Sequence, residues 1–327
     1  MKKIKIGVIG IGHLGSIHAK LLKNNSTAEI SGIMDIDTEK CKRLSLELGV
    51  THITDINEII NISDALIISV PTSMHFEIAM KCINAGKHCF IEKPITQSYS
   101  EAIELIKSAE DKNLVIQVGH VERFNPVIAA INIYEMNPLF IESHRLSQFK
   151  PRAKDVSVIH DLMIHDIDII LWLVKSKVKS IDANGVNVLT ETTDIANARI
   201  SFENGCVANL TASRISANPM RKMRIFQKDT YLSLDFQEHQ VEVYKIYDDG
   251  EQSNNAVPAK MLGSIETGIK NKNIYYELPP VVKSNAIAEE QSAFINVVAG
   301  LAENPVGAEE AAQALKLAEE IYNLINK

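Results

Sequence analysis

Ile4-Lys5-Ile6-Gly7-Val8-Ile9-Gly10-Ile11-Gly12-His13-Leu14-Gly15 decides how the first part of this chain folds. Ile4 to Ile9 is a short apolar run of strand length, and a helical pattern follows from about His13 to Lys23. A glycine repeat alone is weak, but a strand before it and a helix after it make it specific. Gly10 permits the tight turn, Gly12 lets backbone approach a pyrophosphate, and Gly15 allows close packing of helix on strand. The helix start faces the phosphates. A second strand, Ala28 to Met34, is closed by Asp35, whose carboxylate suits both adenosine ribose hydroxyls. A 2′-phosphate would be repelled there, and no Arg or Lys follows before Lys40, so NAD is expected rather than NADP. Asp37, the rival acid, reads more naturally as the N-cap of a helix over Thr38 to Leu48, which Gly49 stops.

Outward from this stretch, strand and helix alternate in the pattern that builds a parallel sheet. Ala65 to Val70 reads as a buried strand broken by Pro71, Ser73 to Asn84 as a helix ended at Gly86, and Lys87 to Ile91 as the next strand. Helix Ser98 to Asp111 and strand Leu114 to Val118 complete the set. The Lys87–Ile91 strand delivers Glu92 and Lys93 directly before Pro94, which holds Lys93 out of helical geometry. In an open α/β sheet that is the crevice where ligands bind.

After Gly119 the grammar changes. Helices are expected over Pro126 to Glu135 and Val156 to Val174, followed by alternating strands. Cys206, Ala208, Leu210 and Ala212 fall on one face of such a strand and Asn209, Thr211 and Ser213 on the other, as in an antiparallel sheet with one covered face. Asp248 to Asn255 reads as a loop, and helices over about Ile287 to Ala299 and Ala308 to Ile325 close the chain. Two domains are expected, residues 1–120 for the dinucleotide and 121–327 for substrate and oligomerisation; the pattern leaves open whether the last helix packs back on the first domain.

Composition sets the class. With 46% hydrophobic and 23% charged residues the 327-residue chain reads as globular, and a net charge of −7 argues against a nucleic-acid partner. No apolar run approaches the ~20 residues of a membrane helix, and with Met-Lys-Lys running straight into the first strand no secretory segment is expected. Cys41, Cys82, Cys89 and Cys206 lack C-x-x-C spacing, so free thiols and a cytoplasmic location are expected.

Asp161, His165 and Asp168 recur at a spacing that places them on one helical face, with Leu162, Ile169, Ile170 and Leu173 opposite. Oxidising an alcohol needs a hydride acceptor and a base for the hydroxyl proton. A histidine suits the proton, and a lysine ammonium orients the oxygen and steadies developing alkoxide charge. Lys93 and His165 would supply both; the bland alternative is an ion-pairing histidine between solvated aspartates. His160 lies off that face, so no metal is expected.

Gly10-x-Gly12-x-x-Gly15-x-x-His18, Pro71-Thr-x-x-His75, Gly86-Lys-His-x-x-x-Glu92-Lys93-Pro94 and Asp161-x-x-x-His165-x-x-Asp168 together resemble the glucose–fructose oxidoreductase, inositol dehydrogenase and rhizopine-catabolism (Gfo/Idh/MocA) family over essentially the whole chain. The resemblance implies an α/β fold: an N-terminal Rossmann domain, then an α/β domain with an open, mainly antiparallel sheet that pairs copies into homodimers or homotetramers. It implies Lys93, Asp161 and His165 as the catalytic group. On the cofactor side it implies Gly10, Gly12, His13, Leu14, Gly15, Asp35, Pro71, Thr72, His75, Glu92 and Lys93. Gly119-His-Val-Glu-Arg-Phe-Asn-Pro126, His160-to-Asp168 and Asn209-to-Ser216 are similar to the branch that oxidises the 3-hydroxyl of UDP-N-acetylglucosamine. A diphosphate substrate needs cationic donors. Arg123, Arg152, Arg214, Arg221 and Arg224 lie in the substrate half, and Arg123 and Arg214 interrupt the branch signature. With Arg152, Asn125, Asp161 and His165 they form the expected substrate set, although any one arginine is as readily an ion-pair partner. His120 and Asn125 either line that pocket or hold the loop, and Pro126 reads as a first helical residue. The expected activity is NAD-dependent oxidation of a sugar hydroxyl. The alternatives are an inositol or free-sugar dehydrogenase, an enzyme that retains its NAD with no net redox change, and a dinucleotide-sensing protein without catalysis.

Overall fold

A computed structural model describes residues 3–150, 156–248, 257–266 and 271–327. The chain forms two compact units, residues 1–124 with 285–316, and residues 125–284 with 317–327.

The first unit is built on a parallel sheet of strands β1 (Ile4–Ile9), β2 (Ala28–Met34), β3 (Ala65–Ile68), β4 (His88–Glu92) and β5 (Ile116–Gly119), in the order β2-β1-β3-β4-β5. Helices α1 (His13–Lys23), α2 (Thr38–Leu48), α3 (Ile56–Ile62), α4 (His75–Asn84) and α5 (Tyr99–Glu110) make the crossovers. Both faces are covered, so the central strands are continuously apolar: Leu66, Ile67, Ile68, Phe90 and Ile91 are all fully buried. The strand order reverses between β1 and β3, and the crevice for a ligand opens there, beyond the carboxyl ends.

Local chemistry sets the boundaries. Asp37 caps α2 by accepting from Lys40 N–H at 3.0 Å, Gly49 ends it at φ 63°, and Ser98 and Glu101 close a capping box on α5. Two details depart from expectation. Helix α3, capped by Asp55, is too short for periodicity to reveal, and a 3₁₀ turn over Thr72–Met74 precedes α4. A late segment completes this unit. Helix α8 (Ala286–Val298) brings Phe294 to Phe90, ring centroids 5.8 Å apart; Val118 N–H donates to the Val306 carbonyl, and Ala308, Ala311, Ala312 and Leu315 join the core.

The second unit carries, among the described residues, strands β6 (Phe140–Leu146), β7 (Val178–Val186), β8 (Ile195–Phe202), β9 (Val207–Ser213), β10 (Met220–Gln227), β11 (Thr230–Asp235), β12 (Gln240–Asp248), β13 (Ala259–Glu266) and β14 (Asn271–Glu277). Their order is β13-β14-β12-β11-β10-β6-β9-β8-β7, antiparallel throughout except for the pair β6–β9. The expected loop at Asp248–Asn255 lies, beyond Asp248 itself, outside the described residues.

Ala196, Ala198, Ala208, Leu210, Met223, Ile225, Leu232 and Val243 are buried on the covered face. Cys206, Ala208, Leu210 and Ala212 bury as the alternation predicts; Ser213 also buries, because its carbonyl accepts from Ser147 N–H where the strand ends. On the other face Phe140, Phe226, Tyr231, Tyr244 and Tyr276 stand in register across five strands, with neighbouring centroids 5.9, 4.7, 5.4 and 5.1 Å apart. Beside this row Arg224 pairs with Glu142 at 3.0 Å.

Helix α6 (Pro126–Ile131) has Pro126 at its first turn and ends earlier than expected. The expected helix from Val156 to Val174 is two structures, a π turn over Ile159–Met163 and then α7 (Ile164–Val174). Hydrophobic periodicity does not register the extra residue a π turn inserts, and such turns are frequent at functional sites. The last helix, α9 (Ala308–Ile325), has the expected limits.

Candidate active site

The three glycines of the first loop answer to three different constraints. At Gly10, with φ 89°, a Cβ would lie 2.4 Å from the Ser69 carbonyl oxygen, and at Gly15 one would lie 1.8 Å from the Gly10 oxygen. At Gly12 a Cβ would meet nothing within 4 Å. The space over Gly12 is open, and no side chain caps the start of α1, where no acidic residue sits in the first turn. Open backbone beside uncapped N–H groups is what a diphosphate requires, so these residues fit the dinucleotide. His13 and Leu14, on the first turn of α1, and Pro71 are exposed; Thr72 is half-buried.

Asp35 is half-buried at the end of β2. Its Oδ2 accepts from Ile11 N–H at 2.5 Å and its Oδ1 from Asp37 N–H at 3.0 Å, which ties the acid to the glycine loop. Each carboxylate oxygen keeps further lone-pair capacity for ribose hydroxyls.

Lys93 is half-buried just past β4, and the Lys93–Pro94 peptide is cis. Glu92 Oε1 lies 2.9 Å from His18 Nε2, and Glu92 Oε2 accepts from Lys93 N–H at 3.3 Å. His75 places Nδ1 2.8 Å from the Pro94 carbonyl oxygen and Nε2 3.0 Å from that of Val70. Burial pushes the His75 pKa below its ordinary value, against the pull of those carbonyls and the Glu92 charge. Arg123 belongs to this unit; its side chain is buried, 3.9 Å from Glu310.

In the second unit Asp161 is half-buried within the π turn, His165 half-buried in the first turn of α7, and Asp168 buried one turn later. His160 Nδ1 meets the Ser157 hydroxyl at 3.0 Å, and its ring stands edge-on to Tyr322. Next to His165, buried Asp166 takes the Arg145 guanidinium: Nη2 to Oδ1 at 2.8 Å, and Nε to both oxygens at 3.1 Å. Arg145 sits at the centre of the sheet on β6, so this pair pins α7 to it. Nothing in the local sequence signals the pair, because its members are 21 residues apart and the strand looks too polar to bury.

Arg214 differs from its expected place on a diphosphate. It is buried; Nε donates to Asp194 Oδ1 at 2.9 Å, Nη1 to the Val156 carbonyl at 2.7 Å, and Nη2 to the Thr192 hydroxyl at 2.6 Å and the Thr193 carbonyl at 3.0 Å. The guanidinium therefore serves the fold of its own unit, tying the loop before β8 to the chain entering the π turn. Burial alone would raise the Asp194 pKa. Backbone N–H groups of Leu189, Val188 and Thr190 and the Thr190 hydroxyl outweigh it and hold the carboxyl well below the usual range. Asn125 likewise works locally, its Oδ1 capping α6 by accepting from Val127 N–H at 3.0 Å. Arg221 is exposed, and Arg152 lies outside the described residues. Among the described residues no cluster of three His, Cys, Asp or Glu side chains is placed to hold a metal ion, and no helix is long and apolar enough to cross a membrane.

A glycine loop opening α1, an acid closing β2 and a lysine beyond β4 define a dinucleotide-dependent oxidoreductase by class. Residues 4–120 match the oxidoreductase family with NAD-binding Rossmann fold, and residues 131–232 match the Gfo/Idh/MocA C-terminal domain. The chain belongs to the Gfo/Idh/MocA family of oxidoreductases, and its first unit is an NAD-binding Rossmann domain. It is 35% identical to a UDP-N-acetylglucosamine 3-dehydrogenase of Acidithiobacillus ferrooxidans over 91% of this chain and 90% of that one. A solved structure of that enzyme superposes with a TM-score of 0.88 at 32% identity, covering 99% of this chain and 98% of the other. A scyllo-inositol dehydrogenase of Lactobacillus casei, solved with NAD(H) and scyllo-inositol, shares the fold at a TM-score of 0.76 and 22% identity over 99% and 97%.

Proposed function

We propose that this chain oxidises a secondary hydroxyl of a nucleotide sugar, most specifically the 3-hydroxyl of a UDP-N-acetylhexosamine. The observation that carries the reading is near full-length similarity to a UDP-N-acetylglucosamine 3-dehydrogenase, and the sequence contains Lys93, Asp161 and His165 of the expected catalytic group.

Bound NAD supplies the hydride acceptor. The alcohol would pass its hydride to that acceptor on becoming a ketone, and the chain's own part is to take the hydroxyl proton and to hold the oxygen. His165 takes that proton, Asp161 completes the catalytic group, and the Lys93 ammonium orients the hydroxyl oxygen and stabilises its developing charge. Gly12 and the start of α1 hold the diphosphate of the dinucleotide, and Asp35 the adenosine ribose. For the substrate diphosphate, Arg123 and Arg152 are the candidates. The reading also carries a homodimer or homotetramer formed through the open sheet face, supported by the aromatic row there, and a cytoplasmic location, supported by four free cysteines.

The test is reduction of NAD by desalted protein, followed at the reduced-nicotinamide band, with UDP-N-acetylglucosamine, its uronic acid, myo-inositol, glucose and a blank. Reduction by a UDP-sugar alone is expected. Reduction by inositol or glucose alone replaces the substrate, and silence with cofactor still bound points to an NAD-retaining cycle. Lys93→Met and His165→Ala should each lower turnover by about 10²-fold or more while NAD binding survives; unchanged rates in both would sink the assignment. Light scattering should give two or four chains per particle, and a monomer would remove that part.

A further inference from the structure

Lys93 is flanked by two buried histidines whose ring nitrogens the proposed reaction does not use. On one side His18 Nε2 faces Glu92 Oε1 at 2.9 Å, and Gln291 Nε2 donates to the His18 carbonyl at 3.1 Å. The other Glu92 oxygen accepts the Lys93 N–H. Room for this carboxylate comes from Gly119, where a Cβ would lie 2.8 Å from Glu92 Oε2. On the other side His75, only 1% exposed, directs both ring nitrogens at backbone carbonyls, Pro94 just after the lysine and Val70 at the end of the β3 loop. A neutral imidazole carries a single N–H, so one carbonyl at a time receives it.

We propose that His75 and Glu92 are positioning residues for Lys93, fixing the backbone on either side of it so that its ammonium meets the substrate hydroxyl at a set place. The motif pattern assigns both to the cofactor; their polar atoms are turned to protein groups that bracket the lysine instead. The proposal rests on Lys93 having the role given above. A lysine has four rotatable side-chain bonds, and freedom in its backbone would multiply their spread; misplacement by about 1 Å costs up to 10²-fold in rate.

The variants are His75→Phe, which keeps a ring without donors, His75→Asn, whose amide falls near Nδ1, His75→Gln, whose amide falls near Nε2, and Gly119→Ala, which pushes on Glu92 without removing a polar group. Four quantities are read: kcat, KM for UDP-N-acetylglucosamine, NADH affinity by fluorescence titration, and amide hydrogen exchange of residues 93–97 against β1 in ligand-free protein. His75→Phe should lower kcat by about 10- to 100-fold. NADH affinity should stay within about threefold, and exchange at 93–97 should quicken while β1 is unchanged. His75→Asn should restore most of both losses and His75→Gln should not, and Gly119→Ala should reproduce them from the other side.

Unchanged kcat and exchange in His75→Phe overturn the proposal. So does rescue by Gln rather than Asn, or weakened NADH binding with full kcat, since either makes His75 a support of the β3 loop. Should His75→Phe fail to fold, the Asn, Gln and Gly119→Ala variants decide by the same criteria. If wild-type protein oxidises none of the sugars, the proposed function fails, and exchange at 93–97 alone decides the positioning: quickened and rescued by Asn, it stands; unchanged, it falls.

Discussion

Around Lys93 the fixed points are mostly backbone atoms, the buried His18–Glu92 contact being the exception. His75 reaches two carbonyls, Glu92 a neighbouring N–H, and Asp35 the Ile11 N–H, all within loops at one edge of a parallel sheet. Around α7 the fixed points are charges. Arg145 meets Asp166 and Arg214 meets Asp194, both pairs buried and each joining segments some twenty residues apart. The first arrangement needs correct turns, and a single neutral substitution there strands no buried charge, so it costs little stability even where turnover falls. The second removes whole charges from water and holds only while both partners are present. Position in the first unit is set by hydrogen-bond geometry, and in the second by paired charge.

That contrast has measurable edges. The largest effect should come from breaking a pair: Asp194→Ala leaves the Arg214 guanidinium buried without its carboxylate, at a cost of about 3–5 kcal/mol. Thermal unfolding should shift down by roughly 10 °C, with NADH affinity of folded protein unchanged. A shift of a degree or two would erase the distinction between the units. Acid unfolding gives the sign independently. The folded Asp194 pKa lies below the ordinary 3.8, so its contribution is complete above that pH and is lost as pH falls through the depressed folded value. Asp194→Asn should therefore flatten the fall of stability below about pH 4.

Replacing a whole pair should matter less than halving it. Asp166→Leu alone should cost about 3–5 kcal/mol, whereas Arg145→Met with Asp166→Leu should come back near wild-type stability in a denaturant titration. A double variant as unstable as the single would mean that the pair contributes net stability. The smallest effect belongs to the first unit: Ser98→Ala removes the capping box of α5 and should cost about 1 kcal/mol, read as the same denaturant midpoint shift. A loss as large as that of Asp194→Ala would undo the comparison from the other side.

The same difference governs what could be read in advance. β1, α1, β2, α2 and α9 have the limits the sequence predicts because their signals are local: apolar runs, a capping aspartate, a left-handed glycine. The glycine loop and Asp35 are legible for the same reason. β6 escapes because Ser143 and Arg145 face inward, so its alternation is not one of polarity, and the purpose of Arg145 is visible only once Asp166 is opposite it. The π turn escapes because an inserted residue leaves no compositional mark. Arg214 shows the converse error: an arginine in a signature segment reads as a ligand contact until buried Asp194 and the Val156 carbonyl are found around it.

Residues 285–316 belong to the unit that begins at the N-terminus, with Phe294 against Phe90, Gln291 on His18 and Asn304 bonded to the Ile116 carbonyl. During translation this unit is therefore unfinished when its own strands have emerged. At about 5–20 residues per second, the ribosome takes on the order of ten seconds to deliver the closing helix. Through that interval apolar side chains around Phe90 stay uncovered, open to a chaperone or to aggregation, and the dinucleotide-binding unit becomes native only once residues 285–316 have emerged.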